Sequence, residues 1–337
     1  MGDKTLCLSV VVPIYFEEQL INEFYKRMKK VLITLEPRYR HELIFVNDGS
    51  TDSSLEMLVE ICQKDDKVRI IDFSRNFGHQ IAITAGTDYA TGDAVVVIDG
   101  DLQDPPEVIP KMVEKWEEGY KVVYGVRSKR KGETAFKLLT ANIYYRLMGK
   151  LSDVNLPLDA GDFRLMDRVV VDALGEIHEE NRYIRGLISW IGFPQYGLAY
   201  ERDIRYAGET KFTLKKMLKF ALDGITSFSD KPLHLSSQLG MLITLAAFLS
   251  VIFVIASKLI YPESSIQGWT SLLVVILFLG GIQLISIGIL GQYIGRIYKE
   301  SKRRPLYIVA QKYGFEYLKP LFNRPQDASK LRVDKNG

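Results

Sequence analysis

Cysteine and histidine are scarce in this chain of 337 residues, which has two of the first and four of the second. Cys7 and Cys62 are too few and too far apart for a disulfide scaffold, a zinc ribbon or a redox pair. His41, His79, His178 and His234 are scattered, without the i, i+4 spacing of a helical zinc site. Excess charge is missing too: 44 Lys and Arg against 41 Asp and Glu give a net +3, which is no argument for nucleic acid. No Gly-x-Gly-x-x-Gly follows a predicted strand and no Gly-Lys-Ser/Thr phosphate loop occurs, which sets aside a dinucleotide oxidoreductase and a P-loop nucleotidase.

One stretch lacks charge almost entirely, since residues 235–295 contain only Lys258 and Glu263. Within it, segments 239–260 and 272–294 are long enough, at ~1.5 Å per residue, to cross a hydrocarbon core of roughly 30 Å. Lys258 stands at the end of the first segment, where it can snorkel to the interface. The short linker 261–268 predicts a tight antiparallel hairpin. Lys211, Lys215, Lys216, Lys219 and Lys231 precede the first segment, and Arg296, Lys299, Lys302, Arg303 and Arg304 follow the second. The positive-inside rule therefore puts both flanks in the cytoplasm. The first apolar run, 6–14, is too short for a signal peptide, so the N-terminal part is expected to stay cytosolic.

That part reads as alternating strands and helices. Strands are predicted over 8–14, 42–46, 68–73, 94–98 and 121–124, and helices over 18–35, 52–64, 80–90 and 106–118. Continuous Val- and Ile-rich strands suit a parallel sheet covered on both faces, built from right-handed βαβ units with ligands at the carboxyl ends of the strands. Ser50 or Thr51 is the expected cap of the second helix, and Pro105 and Pro106 open the fourth. Segments 136–151 and 214–228 mix basic and apolar residues as interfacial helices do, although an ordinary helix packed on the sheet accounts equally well for the first.

Chemistry concentrates at three strand ends. The fourth predicted strand runs into Asp99-Gly100-Asp101-Leu102-Gln103-Asp104-Pro105-Pro106-Glu107. In extended backbone Asp99, Asp101 and Gln103 face one way, so two carboxylates and an amide oxygen can meet one hard cation that also bridges nucleotide phosphates. The second ends in Asn47-Asp48-Gly49-Ser50-Thr51-Asp52, where Asp48 or Asp52 can accept hydrogen bonds from a base or ribose, or simply build a turn and cap. The first ends in Pro13-Ile14-Tyr15-Phe16-Glu17-Glu18. Arg127, with Lys129, Arg130 and Lys131 behind it, offers a cationic loop for a phosphate. Arg205 and Lys211 flank Gly208-Glu209-Thr210 just before the expected interfacial helix, where a lipid phosphate would arrive.

Together with Arg75-Asn76-Phe77-Gly78, Gly161-Asp162-Phe163-Arg164-Leu165 and the hairpin, these motifs make residues 7–300 resemble family 2 nucleotide-sugar glycosyltransferases, in the membrane-anchored branch that transfers a sugar to a polyprenyl phosphate. The resemblance implies an α/β GT-A (Rossmann-like) catalytic domain with a C-terminal two-helix transmembrane hairpin. It implies that Pro13, Tyr15, Glu17 and Asp48 line the base and ribose pocket and that Asp99, Asp101 and Gln103 hold Mg²⁺ or Mn²⁺ against the diphosphate. Arg127, Arg205 and Lys211 are the candidate acceptor-phosphate residues, and Asp162 the candidate base. Phe16 departs from the family, which usually has Asn there, and Gly100 replaces a common Ala, a change expected to matter little.

The expected reaction is inverting transfer of a hexose, from UDP-glucose first among donors, to undecaprenyl phosphate at the cytosolic face of a bacterial inner membrane. GDP-mannose, UDP-N-acetylhexosamine or a UDP-arabinose derivative are alternative donors. Processive polysaccharide synthesis is disfavoured, because no tryptophan stands in Gln-x-x-Arg-Trp. A lipid- or sugar-binding scaffold is disfavoured by the complete Asp99, Asp101 and Gln103 set. An acceptor phosphate is already anionic near neutral pH, which weakens the need for Asp162 as base, and a structural pair of Asp162 with Arg164 is the competing role. The expected division is a cytosolic domain 1–210, an interfacial helix 211–233, the hairpin 234–297 and a tail 298–337. Aromatic residues of that tail, among them Tyr307, Tyr313 and Phe315, are expected to pack on a neighbouring copy in a homo-oligomer or back onto their own domain.

Overall fold

The computed structural model describes residues 5–36, 38–127, 160–201, 231–260 and 269–315. The interfacial candidates 136–151 and 214–228, the linker 261–268, and Lys129, Arg130, Lys131, Arg205 and Lys211 lie outside the described residues. In chain order the elements are β1 (Leu6–Ile14), α1 (Ile21–Leu35), β2 (Tyr39–Asn47), α2 (Ser54–Lys64), β3 (Val68–Phe73), α3 (His79–Tyr89), β4 (Ala94–Val97), a 3₁₀ turn (Pro106–Val108), α4 (Ile109–Glu117) and β5 (Val122–Arg127). There follow β6 (Ala160–Asp167), α5 (Arg168–Glu176), α6 (Ile184–Ile191), β7 (Gln195–Tyr200), α7 (Lys231–Ile260), α8 (Trp269–Ser301) and β8 (Val309–Tyr313).

Eight strands form one sheet in the order β7-β5-β6-β4-β1-β2-β3-β8. Strands β3, β2, β1 and β4 are parallel neighbours, as the apolar runs predict. Side chains alternate between two covered faces: Leu8, Val10, Val12 and Ile14 join α1 and α4 in one core, while Val11 faces α3. Helix α3 lies close to the sheet, because a Cβ on Gly86 would sit 2.1 Å from Val11 Cγ1.

The sheet is mixed rather than parallel throughout. Strand β6 inserts antiparallel between β4 and β5, which therefore do not touch as successive βαβ strands would. Ser50 and Thr51 do not cap α2; its N-cap is Ser53, and Asp52 Oδ1 accepts from the Ser54 amide at 3.1 Å. Pro106 opens a 3₁₀ turn that leads into α4.

The tail returns to the sheet. Strand β8 pairs antiparallel with β3, the Ser74 amide donates to Ile308 O at 3.0 Å, and Tyr307 stacks on Phe73 with ring centroids 5.3 Å apart. The Tyr307 hydroxyl donates to Asp88 Oδ2 at 3.0 Å, and Phe315 meets Tyr89 edge to face. These aromatic residues are used within the chain's own sheet, where they cover an edge that would otherwise offer unpaired backbone.

The described residues divide into two units, one containing the sheet and everything after Arg303, the other containing α7 and α8. The second unit consists of helices of 30 and 33 residues that touch one another. Residues Phe278–Ser301 are long and apolar enough to cross a membrane, and none of their most apolar window is buried.

Tyr307→Ala removes both the stack on Phe73 and the hydroxyl bond to Asp88, and is expected to destabilise the sheet unit by about 1–3 kcal/mol. Tyr307→Phe keeps the stack and should cost less than half of that. Thermal unfolding of the detergent-purified variants, followed by tryptophan fluorescence, checks the order.

Candidate active site

The carboxyl ends of β1, β2 and β4 meet at one edge of the parallel half of the sheet, where open α/β sheets bind ligands. Pro13 is the last-but-one residue of β1, in register with Val46, and the Asp48 amide donates to Ile14 O at 2.9 Å. Beyond it Tyr15 and Phe16 are each 40% exposed, with rings edge to face at 4.5 Å. Phe16 has a φ of +56°, a left-handed conformation that costs a bulky side chain about 1–2 kcal/mol. Consecutive amides are pinned there, that of Phe16 to Ser50 Oγ at 3.2 Å and that of Glu17 to Ser54 Oγ at 3.1 Å.

Asp48 is buried and turned toward the loop after β3. Its carboxylate accepts from the Phe77 amide at 2.7 Å, the Gly78 amide at 3.0 Å and Asn76 Nδ2 at 2.9 Å. Burial raises its pKa, against the pull of those backbone donors. Asp48 thus holds the Asn76-Phe77-Gly78 loop against the end of β2. Gly49, at φ +68°, allows the two loops to meet, since a Cβ there would lie 2.4 Å from the Arg75 carbonyl carbon.

At the end of β4 the chain turns instead of continuing extended, so strand alternation does not align Asp99, Asp101 and Gln103. Leu102 takes a φ of +57° and buries its side chain in the core, and Asp101 Oδ1 accepts from the Gln103 amide at 3.1 Å. The turn keeps Asp99 and Asp101 close enough to influence each other: burial pushes the Asp99 carboxyl up to about 6, with Asp162, Asp101 and Asp104 adding to the rise and His79 opposing it. In the same turn Asp104 is fully buried; it accepts from the Tyr200 hydroxyl, and Arg127 Nη2 lies 3.9 Å from its Oδ2.

Asp162, on β6, is held by residues that the sequence reading passed over. Arg185 donates Nε to Oδ1 at 2.8 Å and Nη2 to Oδ2 at 3.0 Å, and Gln80 Nε2 donates to Oδ2 at 3.1 Å. His79 Nε2 lies between two carboxylates, 3.3 Å from Asp162 Oδ2 and 3.4 Å from Asp99 Oδ1. Burial alone would lower the imidazole pKa, but these two carboxylates raise it to about 9, an attraction that solvent screens in part because the side chain is 43% exposed. Although burial works against ionisation, Arg185 and His79 hold the Asp162 carboxyl well below the usual carboxylate range, which makes it a poor proton acceptor. Arg164 contributes less: its guanidinium donates to the carbonyls of Gly161 and Asp162 and stands 3.8 Å from Oδ1. One signal for His79 and Gln80 was available, namely their place directly after the Arg75–Gly78 motif.

Among the described residues no three His, Cys, Asp or Glu side chains form a metal-holding group by themselves. The donor set nevertheless fits a hard cation. Asp99 Oδ1 is buried without a hydrogen-bond partner, and Mg²⁺ is commonly held by one or two carboxylates with water and substrate phosphates completing its shell.

The described sheet unit is thus an α/β domain whose parallel half ends in an acidic turn. The chain belongs to glycosyl transferase family 2, which it matches over residues 9–175, and it is a glycosyltransferase of GT-A fold. It is 56% identical to "Uncharacterized glycosyltransferase YkcC" of Bacillus subtilis (strain 168), over 91% of this chain and 94% of that protein. It is 43% identical to "Bactoprenol glucosyl transferase" of Shigella phage SfV, over 90% of this chain and 97% of the other. Among solved structures, mannosyl-3-phosphoglycerate synthase from Rubrobacter xylanophilus is similar with a TM-score of 0.46 and 15% identity, over 66% of this chain and 72% of that one.

Removing Arg185 leaves the buried Asp162 charge short of its two best donors. Arg185→Met is expected to destabilise the protein by about 2–4 kcal/mol, and by much less when Asp162 is already Asn. Unfolding midpoints of the wild type, both single variants and the double variant measure the coupling.

Proposed function

We propose that the protein transfers a hexosyl group, glucose from UDP-glucose, to undecaprenyl phosphate with inversion at the anomeric carbon. The observation that carries this reading is the 43% identity to the phage protein named bactoprenol glucosyl transferase. It extends across 90% of the chain, well past the family match at residue 175, so it takes in the long helices as well as the acidic turn.

In this reading an acceptor phosphate oxygen forms the new bond to C1 of the sugar as the bond from C1 to the donor β-phosphate oxygen breaks, and UDP leaves with the electron pair. Asp99, Asp101 and Gln103 would hold Mg²⁺ or Mn²⁺, which supplies charge neutralisation at the departing diphosphate. Pro13, Tyr15 and Glu17 line the nucleoside end, and Asp48 keeps its walls in place through the 76–78 loop. Arg127, beside Asp104, together with Arg205 and Lys211, supplies positive charge for the acceptor phosphate. That phosphate has a second pKa near ~6 and needs no base to become a nucleophile, so the low pKa of Asp162 is no obstacle. Asp162 instead binds Arg185 and positions His79 beside Asp99.

The same reading places α7 and α8 as a hairpin in a bacterial inner membrane, with the sheet unit on the cytoplasmic side. It is supported by the bare apolar side chains of both helices, among them Met241, Phe253 and Leu284, each more than 70% exposed. A site that takes a water-soluble donor and a lipid acceptor has to work at the bilayer surface, which gives the anchor its purpose.

The detergent-purified protein, given undecaprenyl phosphate and a panel of radiolabelled UDP- and GDP-sugars, is expected to label lipid from UDP-glucose. EDTA should abolish the labelling, and Asp101→Ala should reduce it by at least about 100-fold. Labelling from a different sugar would correct the donor; no lipid product from any donor would remove the acceptor assignment.

A further inference from the structure

We infer that Phe16 is a nucleobase-stacking residue of the donor site, an aromatic wall added beside Tyr15 that strengthens binding of the nucleoside diphosphate. The inference rests on the reading of this site as a nucleotide-sugar pocket.

Two features of Phe16 disfavour it as a purely structural residue. Its backbone is left-handed at φ +56°, where asparagine is tolerated far better than a bulky side chain, and the residue is 40% exposed. The backbone conformation is imposed from outside, because Ser50 and Ser54, on the loop after β2 and the first turn of α2, accept the amides of residues 16 and 17. The side chain is therefore carried on a fixed mount, with Tyr15 edge-on at 4.5 Å. A rigid, half-exposed aromatic pair offers a face to a planar ligand at little entropic cost.

Its position selects the ligand. Strand β1 lies between β4, whose end carries the acidic turn, and β2, whose end carries Asp48. A diphosphate at the acidic turn leaves its nucleoside to extend across the end of β1 toward β2, and Phe16 is attached to the β2 side by the Ser50 contact. A base arriving there meets the Tyr15–Phe16 pair and gains stacking that is largely indifferent to base identity. Phe16 thus contributes affinity for the nucleoside, while the choice among bases falls to polar groups elsewhere in the pocket.

The test is UDP binding with Mn²⁺ by calorimetry, and steady-state kinetics, on the full-length protein in detergent with wild type, Phe16→Asn and Phe16→Tyr. Phe16→Asn is expected to weaken UDP binding and raise the donor KM about tenfold with kcat nearly unchanged, while its thermal midpoint stays level or rises because the backbone strain is relieved. Phe16→Tyr should retain wild-type affinity. Unchanged UDP affinity in Phe16→Asn, or a rise confined to the KM of the lipid acceptor, overturns the inference and leaves the transferase reading standing. Failure of the folded wild type to bind any nucleoside diphosphate overturns the donor-site reading itself, and this inference with it.

Discussion

A buried carboxylate organises this site. Asp162 is 7% exposed, and an ionised group so placed costs several kcal/mol unless opposite charge and hydrogen bonds surround it. Its donors come from different parts of the chain: His79 and Gln80 open α3, and Arg185 stands in the first turn of α6. Meeting at one carboxylate fixes those helices relative to β6. Gln80 adds a second tie, because its Oε1 accepts the Ile184 amide at 3.1 Å where α6 begins. His79 then carries the constraint to Asp99, so the acidic turn is located by the same charge. The antiparallel insertion of β6 beside β4 has a purpose in these terms, since it is β6 that presents Asp162 next to the turn.

The half of the sheet that obeys simple rules was legible in the sequence. Strands β1 to β4 are apolar runs buried on both faces, and α1 and α2 keep a helical period, while α3 is buried continuously from Ala82 to Tyr89; the boundaries of these elements were read within about three residues. Strand β6 was not read, because Ala160–Asp167 mixes Gly, Asp and Arg with apolar residues and looks like a site motif rather than a strand. Asp162 is tolerated inside the sheet because Arg185 and Gln80 pair with it, and no local pattern encodes partners 23 and 82 residues away. Strand β8 was missed for a related reason: Val-Ala-Gln-Lys-Tyr has an edge strand's polarity and gains its structure from β3.

For the site, residue types were easier to read than geometry. Asp99, Asp101, Gln103, Tyr15 and Asp48 follow the carboxyl ends of β4, β1 and β2. The extended arrangement assumed for the acidic segment was wrong because burying Leu102 in the core outweighs its left-handed backbone. Asp48 shows a further limit, since the motif identifies a carboxylate but not that the backbone of residues 77 and 78 has already claimed it. His79 escaped because a lone histidine carries no spacing signal; only the fold places it between two carboxylates.

The position of β8 also constrains how the chain can meet a membrane. The chain leaves the sheet after Tyr200 in β7 and re-enters the same sheet at Val309 in β8, with α7 and α8 between. A segment that begins and ends in one folded unit crosses any bilayer an even number of times. The apolar stretch Phe278–Ser301 taken alone would give one crossing and leave β8 on the wrong side from β3. If that stretch spans, a second crossing is needed between Tyr200 and Val309, and among the described residues the 30 residues of α7, about 45 Å of helix, are long enough to make it. Hydropathy judges each helix separately, whereas the pairing of β8 with β3 requires any crossings between β7 and β8 to be even in number.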